Sequence, residues 1–180
     1  VFKAIDLITS LDGFGISKRK ITVSTSGYLA GIKRMVEDNI KINLAFSVGN
    51  ANPEKRLKIM PIEARNPLPE VVDALEAYHS QHNRKLTLEY TLLLDVNDQD
   101  EDMVSLSKLA KRLNAKVNLI NLNPHPKIPH RPVSGKTLNR FKSYLTDHFV
   151  RATIRFTKGQ EVVAACGHLG ESIINETAPQ

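Results

Sequence analysis

Cysteine is almost missing from this chain of 180 residues: Cys166 is the only one. A single thiol forms no internal disulfide, and it supplies too few ligands for a structural zinc or an iron–sulfur centre. Tryptophan is absent and aromatic residues make up 6% of the chain, which leaves no evident platform for stacking nucleic-acid bases. No apolar run approaches the roughly 20 residues needed to span a bilayer, so no membrane association is expected. Residues 1–8 read as amphipathic helix rather than as a secretory leader. With neither disulfides nor leader, a reducing, cytoplasmic setting is expected. The chain begins at Val1 in what reads as the body of a helix, so a fragment or excised domain is expected.

What is present is ordinary globular composition, 41% apolar and 24% charged, in a length that suits one domain with a real core. The net charge of +6 favours polyanionic partners without naming one. Short apolar strands alternate with helices. Strand-like runs cover 20–24, 42–48, 86–94, 116–122 and 152–156. Helix-like runs cover 28–37, 69–81, 100–113 and 136–148. In the third of these, Met103, Leu106, Ala110 and Leu113 share a face, acids open the helix and bases close it, which matches the macrodipole. Strands alternating with helices imply parallel strands joined by right-handed crossovers. The Pro-rich stretch 124–132 is expected to be the longest loop.

In such folds ligands gather at the carboxyl ends of the strands. Those ends are Ser24-Thr25-Ser26-Gly27, Ser47-Val48-Gly49-Asn50, Asp95-Val96-Asn97-Asp98 and Asn121-Leu122-Asn123-Pro124. Each pairs small polar side chains with a turn former, which suits both an ordinary loop and hydrogen bonding to a polar ligand. Cys166 follows the basic strand that holds Arg151 and Arg155, between two Ala and a Gly. A lone Cys is most often a buried small apolar side chain, and otherwise a thiol used for its own chemistry; here the flanks leave the sulfur approachable, and nearby positive charge, with Lys158 included, favours thiolate. His79 and His82, three apart with no third ligand nearby, read as a solvated helix face rather than a metal pair. Glu89 reads either as a buried acid or as a residue facing outward by alternation. Lys18-Arg19-Lys20 and Lys33-Arg34 read either as charged edges or as phosphate contacts. His125, Lys127, His130 and Arg131 in the Pro-rich loop are similar candidates.

An ordered set of strings resembles one family. Ile21-Thr22-Val23-Ser24-Thr25-Ser26-Gly27 is followed by Leu44-Ala45-Phe46-Ser47 and Met60-Pro61-Ile62. Glu89-Tyr90 leads to Val96-Asn97-Asp98, then Val117-Asn118-Leu119-Ile120 with Asn123-Pro124, and Ala164-Ala165-Cys166-Gly167 before Leu169. Together they resemble the radical S-adenosylmethionine (SAM) adenine-C2 methyltransferases of ribosomal and transfer RNA, and their relatives that methylate C8. The resemblance implies an α/β fold: the later strands of a TIM-like (β/α) barrel of radical-SAM type plus a C-terminal extra strand, in one domain over 1–180. It implies SAM and a [4Fe–4S] cluster as cofactors, and 23S rRNA or tRNA and an electron donor as partners. The family's cluster-binding Cys-x-x-x-Cys-x-x-Cys, its Gly-Met-Gly-Glu-Pro segment and its second catalytic cysteine have no counterpart here, so this chain alone is expected to be inactive. An open-edged barrel piece is also expected to be marginally stable or to self-associate.

By the same resemblance, Cys166 matches the cysteine that is methylated and then carries the methyl towards the base, a covalent route to an unactivated adenine carbon. Ser24, Ser47, Val48, Gly49 and Asn123 match positions that hold SAM. Departures are local. Gly49 stands where the family has His, Asn50-Ala51 where it has Ala-Pro, and His168 where it has Gln. Lys158, Gln160, Glu161 and Val163 depart as well, which reads as a divergent branch with a different RNA target or regiochemistry. A radical-SAM activase or redox enzyme, and a non-catalytic RNA-binding module, are the competing expectations.

Overall fold

The structure is a computed structural model that describes residues 1–124 and 128–155. The readings made on His125, Lys127, Lys158, Gln160, Glu161, Val163, Cys166 and His168 lie outside the described residues. The elements run α1 (Phe2–Thr9), β1 (Thr22–Thr25), α2 (Leu29–Glu37), β2 (Asn43–Ser47), α3 (Pro53–Ile59), α4 (Leu68–His82), β3 (Leu86–Leu92), α5 (Asp100–Arg112), β4 (Lys116–Asn121), α6 (Gly135–Asp147) and β5 (Ala152–Arg155).

The five strands form one sheet in the order β1-β2-β3-β4-β5, every pair parallel. Because that order never reverses, right-handed crossovers put the connecting helices on a single face. The residue pattern agrees. Leu44 pairs with Leu86, Phe46 with Leu88, Leu88 with Val117, and Tyr90 with Leu119, and all of these side chains are buried. They meet Ile32 and Met35 of α2, Val71 and Leu75 of α4, Leu106 and Ala110 of α5, and Phe141 of α6 in one core. Phe141 stacks on Tyr90 at 6.2 Å. The intervening residues point the other way and are mostly polar: Ser24, Ser47, Thr87, Glu89, Thr91, Asn118 and Thr153, with the apolar Ala45 and Ile120 among them. A sheet helix-clad on one side and polar on the other is an arc of a parallel (β/α) barrel, as the alternation of elements predicts.

Local chemistry sets the element ends. Ser134 Oγ accepts from Thr137 N at 3.1 Å to open α6. The Asp102 carboxylate folds back to Gln99 N at 3.1 Å to open α5. The helix α3 has no counterpart in the apolar pattern, since its seven residues bury no apolar side chain. It forms because Asn52 Oδ1 accepts from Glu54 N (2.9 Å) and Lys55 N (3.1 Å), and Pro53 occupies the first helical position. Lys18–Lys20, read partly as strand, is a 3-10 turn whose Ser17 hydroxyl accepts from Arg19 N.

One buried hydroxyl fastens α4 beneath the entry to β2. Tyr78 Oη accepts from Ile42 N at 3.0 Å and lies 2.9 Å from Ile40 O and 2.7 Å from Ile42 O. Tyr78→Phe leaves these backbone groups unpaired in the core and is expected to cost about 1–3 kcal/mol. Tyr144→Phe, on the outer side of α6, is expected to cost less than half that. Urea unfolding of the two variants checks the difference; equal costs would contradict it.

Candidate functional site

The polar side chains of the bare face fall in register. Ser47 pairs with Glu89, Glu89 with Asn118, and Asn118 with Thr153, so one row of polar groups crosses four strands. Thr153 Oγ1 lies 3.2 Å from Asn118 Oδ1. Glu89 is half-buried within this row, which resolves the two readings of it: the acid faces the barrel side, not the helices. Ser24 lies on the same face one pair earlier, opposite Ala45, and is exposed. Asn123 is half-buried two residues past the end of β4.

The structure therefore places Ser24 and Ser47 on one face and Asn123 on the same rim. Val48 differs. Its side chain is buried among the core residues, its N–H donates to Glu89 O at 3.0 Å, and its carbonyl accepts from Arg56 Nε at 2.9 Å. Val48 holds the neighbouring residues in place and offers no side-chain group. Gly49 has φ +69, and a Cβ there would collide with the Met60 sulfur. The left-handed φ suits Gly at this position, and Met60 fills the direction a side chain would take. Asn50, the other departure, is fully buried. Its Nδ2 donates to Asp102 Oδ1 (2.9 Å) and its Oδ1 accepts from Asn52 N (2.7 Å).

What sequence reasoning missed is the polar framework beneath this rim. Arg56 is completely buried. Its guanidinium ion-pairs with Glu63, donates to Val48 O, and donates to Ser26 O at 2.6 Å. The other Glu63 oxygen accepts from Leu68 N at 2.9 Å, where α4 begins. Gly27, at φ +99, leaves room for the Arg56 head and the Phe46 ring. Asn97 forms a second clasp. Its Nδ2 donates to Gly49 O (2.8 Å) and Thr91 O (2.9 Å), and its Oδ1 accepts from Leu93 N (2.7 Å). Tyr90 Oη donates to Asn97 O at 2.9 Å, and burial pushes that phenol above its ordinary value. Lys55 bridges Glu101 and Asp102, and the Glu101 carboxylate beside it raises the ammonium pKa. The weak signal available in sequence was Asn97 and Asn50 at strand ends. Nothing marked Arg56 and Glu63 as buried.

The reading of His79 and His82 as a solvated face is corrected. His82 is buried, packs edge-on against Tyr78 at 4.7 Å, and places Nε2 3.4 Å from Met35 O. His79 Nδ1 lies 3.0 Å from Arg84 O. His82 sits on the face of α4 that packs against α2, and His79 is half-buried beside it. Among the described residues no group of three or more His, Cys, Asp or Glu is arranged to hold a metal ion, and one cysteine cannot ligate a [4Fe–4S] cluster. The chain as it stands does not fit that cluster. A SAM molecule fits better: hydroxyls of Ser24 and Ser47 on an open polar face suit its ribose and carboxylate.

Similarity to known proteins follows the same lines. The fold is that of a radical-SAM-type barrel arc. A radical SAM methyltransferase crystal structure from Sphaerobacter thermophilus matches 93% of this chain and 49% of that one, with TM-score 0.86 and 34% identity. A domain of pyruvate-formate lyase-activating enzyme from Bacteroides vulgatus shares the fold alone, with TM-score 0.58 and 14% identity over 75% of this chain and 80% of that one. By sequence, the chain is homologous to half of the RlmN dual-specificity RNA methyltransferases. It is 39% identical over 174 residues to the probable enzyme of Flavobacterium psychrophilum, covering 97% of this chain and 50% of that protein. It is 39% identical over 173 residues to that of Aquifex aeolicus (94% and 50%), and 37% identical over 174 residues to that of Nautilia profundicola (97% and 49%). The chain thus spans about half the length of the curated relatives it matches. No family model matches it. No helix among the described residues is long and apolar enough to cross a membrane.

Two outcomes follow. Arg56→Met strands the Glu63 carboxylate in the core and is expected to cost about 3–5 kcal/mol, measured by urea unfolding; a cost below 1 kcal/mol would contradict the clasp. Burial pushes the His82 imidazole below its ordinary value near 6.5. Its folded pKa is therefore lower than its unfolded one, and the unfolded chain binds more protons as pH falls below about 6.5. Stability is expected to be level above that point and to decline below it, and His82→Phe to flatten this part of the profile.

Proposed function

We propose that this chain is the C-terminal part of a radical-SAM methyltransferase that methylates an adenine of 23S rRNA, tRNA or both. The observation that carries the reading is 39% identity sustained over 97% of the chain to half of an RNA methyltransferase. The bare polar sheet face, with Ser24, Ser47 and Asn123 along one rim, supplies the physical support. The cluster and its electron donor belong to parts of the enzyme other than these residues, and the chain alone is inactive. Lone-cysteine usage suits a cytosolic setting.

In this reading Ser24 and Ser47 donate to or accept from the ribose hydroxyls and carboxylate of SAM, and Asn123 reaches its adenine. Val48 and Gly49 shape the turn between them. SAM supplies the methyl carbon as an electrophile and, with the cluster, a radical able to abstract hydrogen. Cys166 would be the carrier: its thiol would lose its proton to solvent, and the thiolate would accept the methyl that SAM supplies when bound, with S-adenosylhomocysteine as the leaving group. Asn50 is held by Asp102 and Asn52, which supports an ordered turn at the SAM-facing rim.

The test uses the complete enzyme. Mass spectrometry of nucleosides from treated 23S rRNA and tRNA is expected to reveal 2-methyladenosine, and Cys166→Ala to abolish it. Ser47→Ala is expected to weaken SAM binding about five- to tenfold, the worth of one hydrogen bond, in calorimetric titration. Methylation at C8 alone would move the regiochemistry. SAM turnover without RNA methylation would favour the activase reading, and salt-sensitive RNA binding with no SAM affinity the binding-module reading.

A further inference from the structure

The rim opposite the proposed cofactor site carries a charge pattern that cofactor binding does not use. Every strand is entered through a base: Lys20 before β1, Lys41 before β2, Lys85 before β3, Lys116 at the first position of β4 and Arg151 before β5. All five are exposed. Neighbouring parallel strands lie about 4.8 Å apart, so the row runs roughly 19 Å across the sheet. Lys18, Arg19 and Arg84 add to it. In the segments between each helix and the strand it feeds, the acids are Asp12, ahead of β1, and Asp38, which is paired with Arg34 at 2.9 Å. None of the rim bases has a carboxylate partner among the described residues.

A purely structural purpose falls short in magnitude. The carboxyl ends of α2, α4, α5 and α6 point to this rim, and each carries about half a negative charge. That is about two charges in total, against eight basic side chains. At its centre, Arg84, Lys85, Lys116 and Arg151 with Asn83 and Asn114 line a cleft of about 260 Å³. Arg84 itself is half-buried there, its Nε enclosed without an acceptor among the described residues.

Next to Arg151 stands an aromatic ring in an unusual setting. Phe149 is 95% exposed and has φ +61, a left-handed conformation that is a clear outlier for a bulky residue. The fold holds a phenyl ring out in solvent, on a strained backbone, beside a row of positive charge. The sparse aromatic content gave no hint of a stacking platform, yet this ring has the geometry of one: bases stack on exposed aromatics while the backbone tracks a basic groove.

We infer that the amino-terminal rim of the sheet binds a single-stranded segment of RNA, its phosphates along Lys41, Lys85, Lys116 and Arg151 and one base on Phe149. This rests on the RNA reading above and adds a second RNA contact, on the face away from the methyl-transfer chemistry, that positions without reading sequence.

The test measures binding of a fluorescein-labelled 20-nucleotide single-stranded RNA to the complete protein by anisotropy, from low to moderate salt. The triple variant Lys85→Gln, Lys116→Gln, Arg151→Gln is expected to bind at least tenfold more weakly. It should lower the slope of log affinity against log salt by about 2, at roughly 0.7 per phosphate contact. A charge-matched control within the outer helices, Lys33→Gln, Lys108→Gln, Lys142→Gln, is expected to stay within twofold of wild type. Phe149→Gly gives a signature that a structural role would not: melting temperature rises as the strain is relieved, while affinity for single-stranded RNA falls and affinity for an RNA duplex holds. RNA binding that the rim substitutions leave unchanged would overturn this inference alone. A wild-type protein that binds no RNA would overturn it together with the RNA reading.

Discussion

The buried guanidinium of Arg56 is the interaction on which the geometry of the rim depends. It reaches the carbonyl of Ser26 beyond β1 and that of Val48 beyond β2, and it is neutralised by Glu63, whose second oxygen starts α4. Two strand-end loops, α3 and the start of α4 therefore share one charged knot. A buried ion pair adds little net stability over a hydrophobic equivalent, and what it contributes is penalty against misplacement, since either partner left alone in the core is costly. That property suits a rim whose residues must keep their positions. Asn97 extends the same principle to β3 by binding Gly49 O and Thr91 O, and Asn50 ties the β2 loop to α5 through Asp102.

On that frame the sheet separates its tasks by face and by end. One face buries Leu, Phe, Tyr and Val side chains against four helices. The other lines up Ser47, Glu89, Asn118 and Thr153 and leaves them open to a ligand. The carboxyl end holds the clasped loops and the residues proposed to meet SAM. The amino end collects bases without a carboxylate partner among the described residues, and the exposed Phe149. Composition alone, at net charge +6, could not show that the excess positive charge is concentrated at one end.

Most of the fold was legible because it rests on period. Alternating apolar positions in Leu86, Leu88, Tyr90 and Leu92, and the helical stripe of Met103, Leu106 and Ala110, each write their own burial into the sequence. The places of Ser24, Ser47 and Asn123 near the carboxyl ends of strands were legible because the strands themselves were. Arg56, Glu63 and His82 were not. Charged and ionisable side chains are mostly exposed, and their burial here depends on partners 5 to 47 positions away in sequence. The helix α3 was missed because it is held by the Asn52 cap and by Arg56 rather than by an apolar face. Phe149 was missed for the opposite reason, an apolar residue that does not go inside.

The proposed role of Cys166 as methyl carrier is tested most directly by the intact mass of the Cys166 peptide from the complete enzyme isolated with its cluster loaded and SAM present. The account predicts a peptide heavier by one methyl group, an increment absent from Cys166→Ala. A bare thiol under those conditions would contradict it.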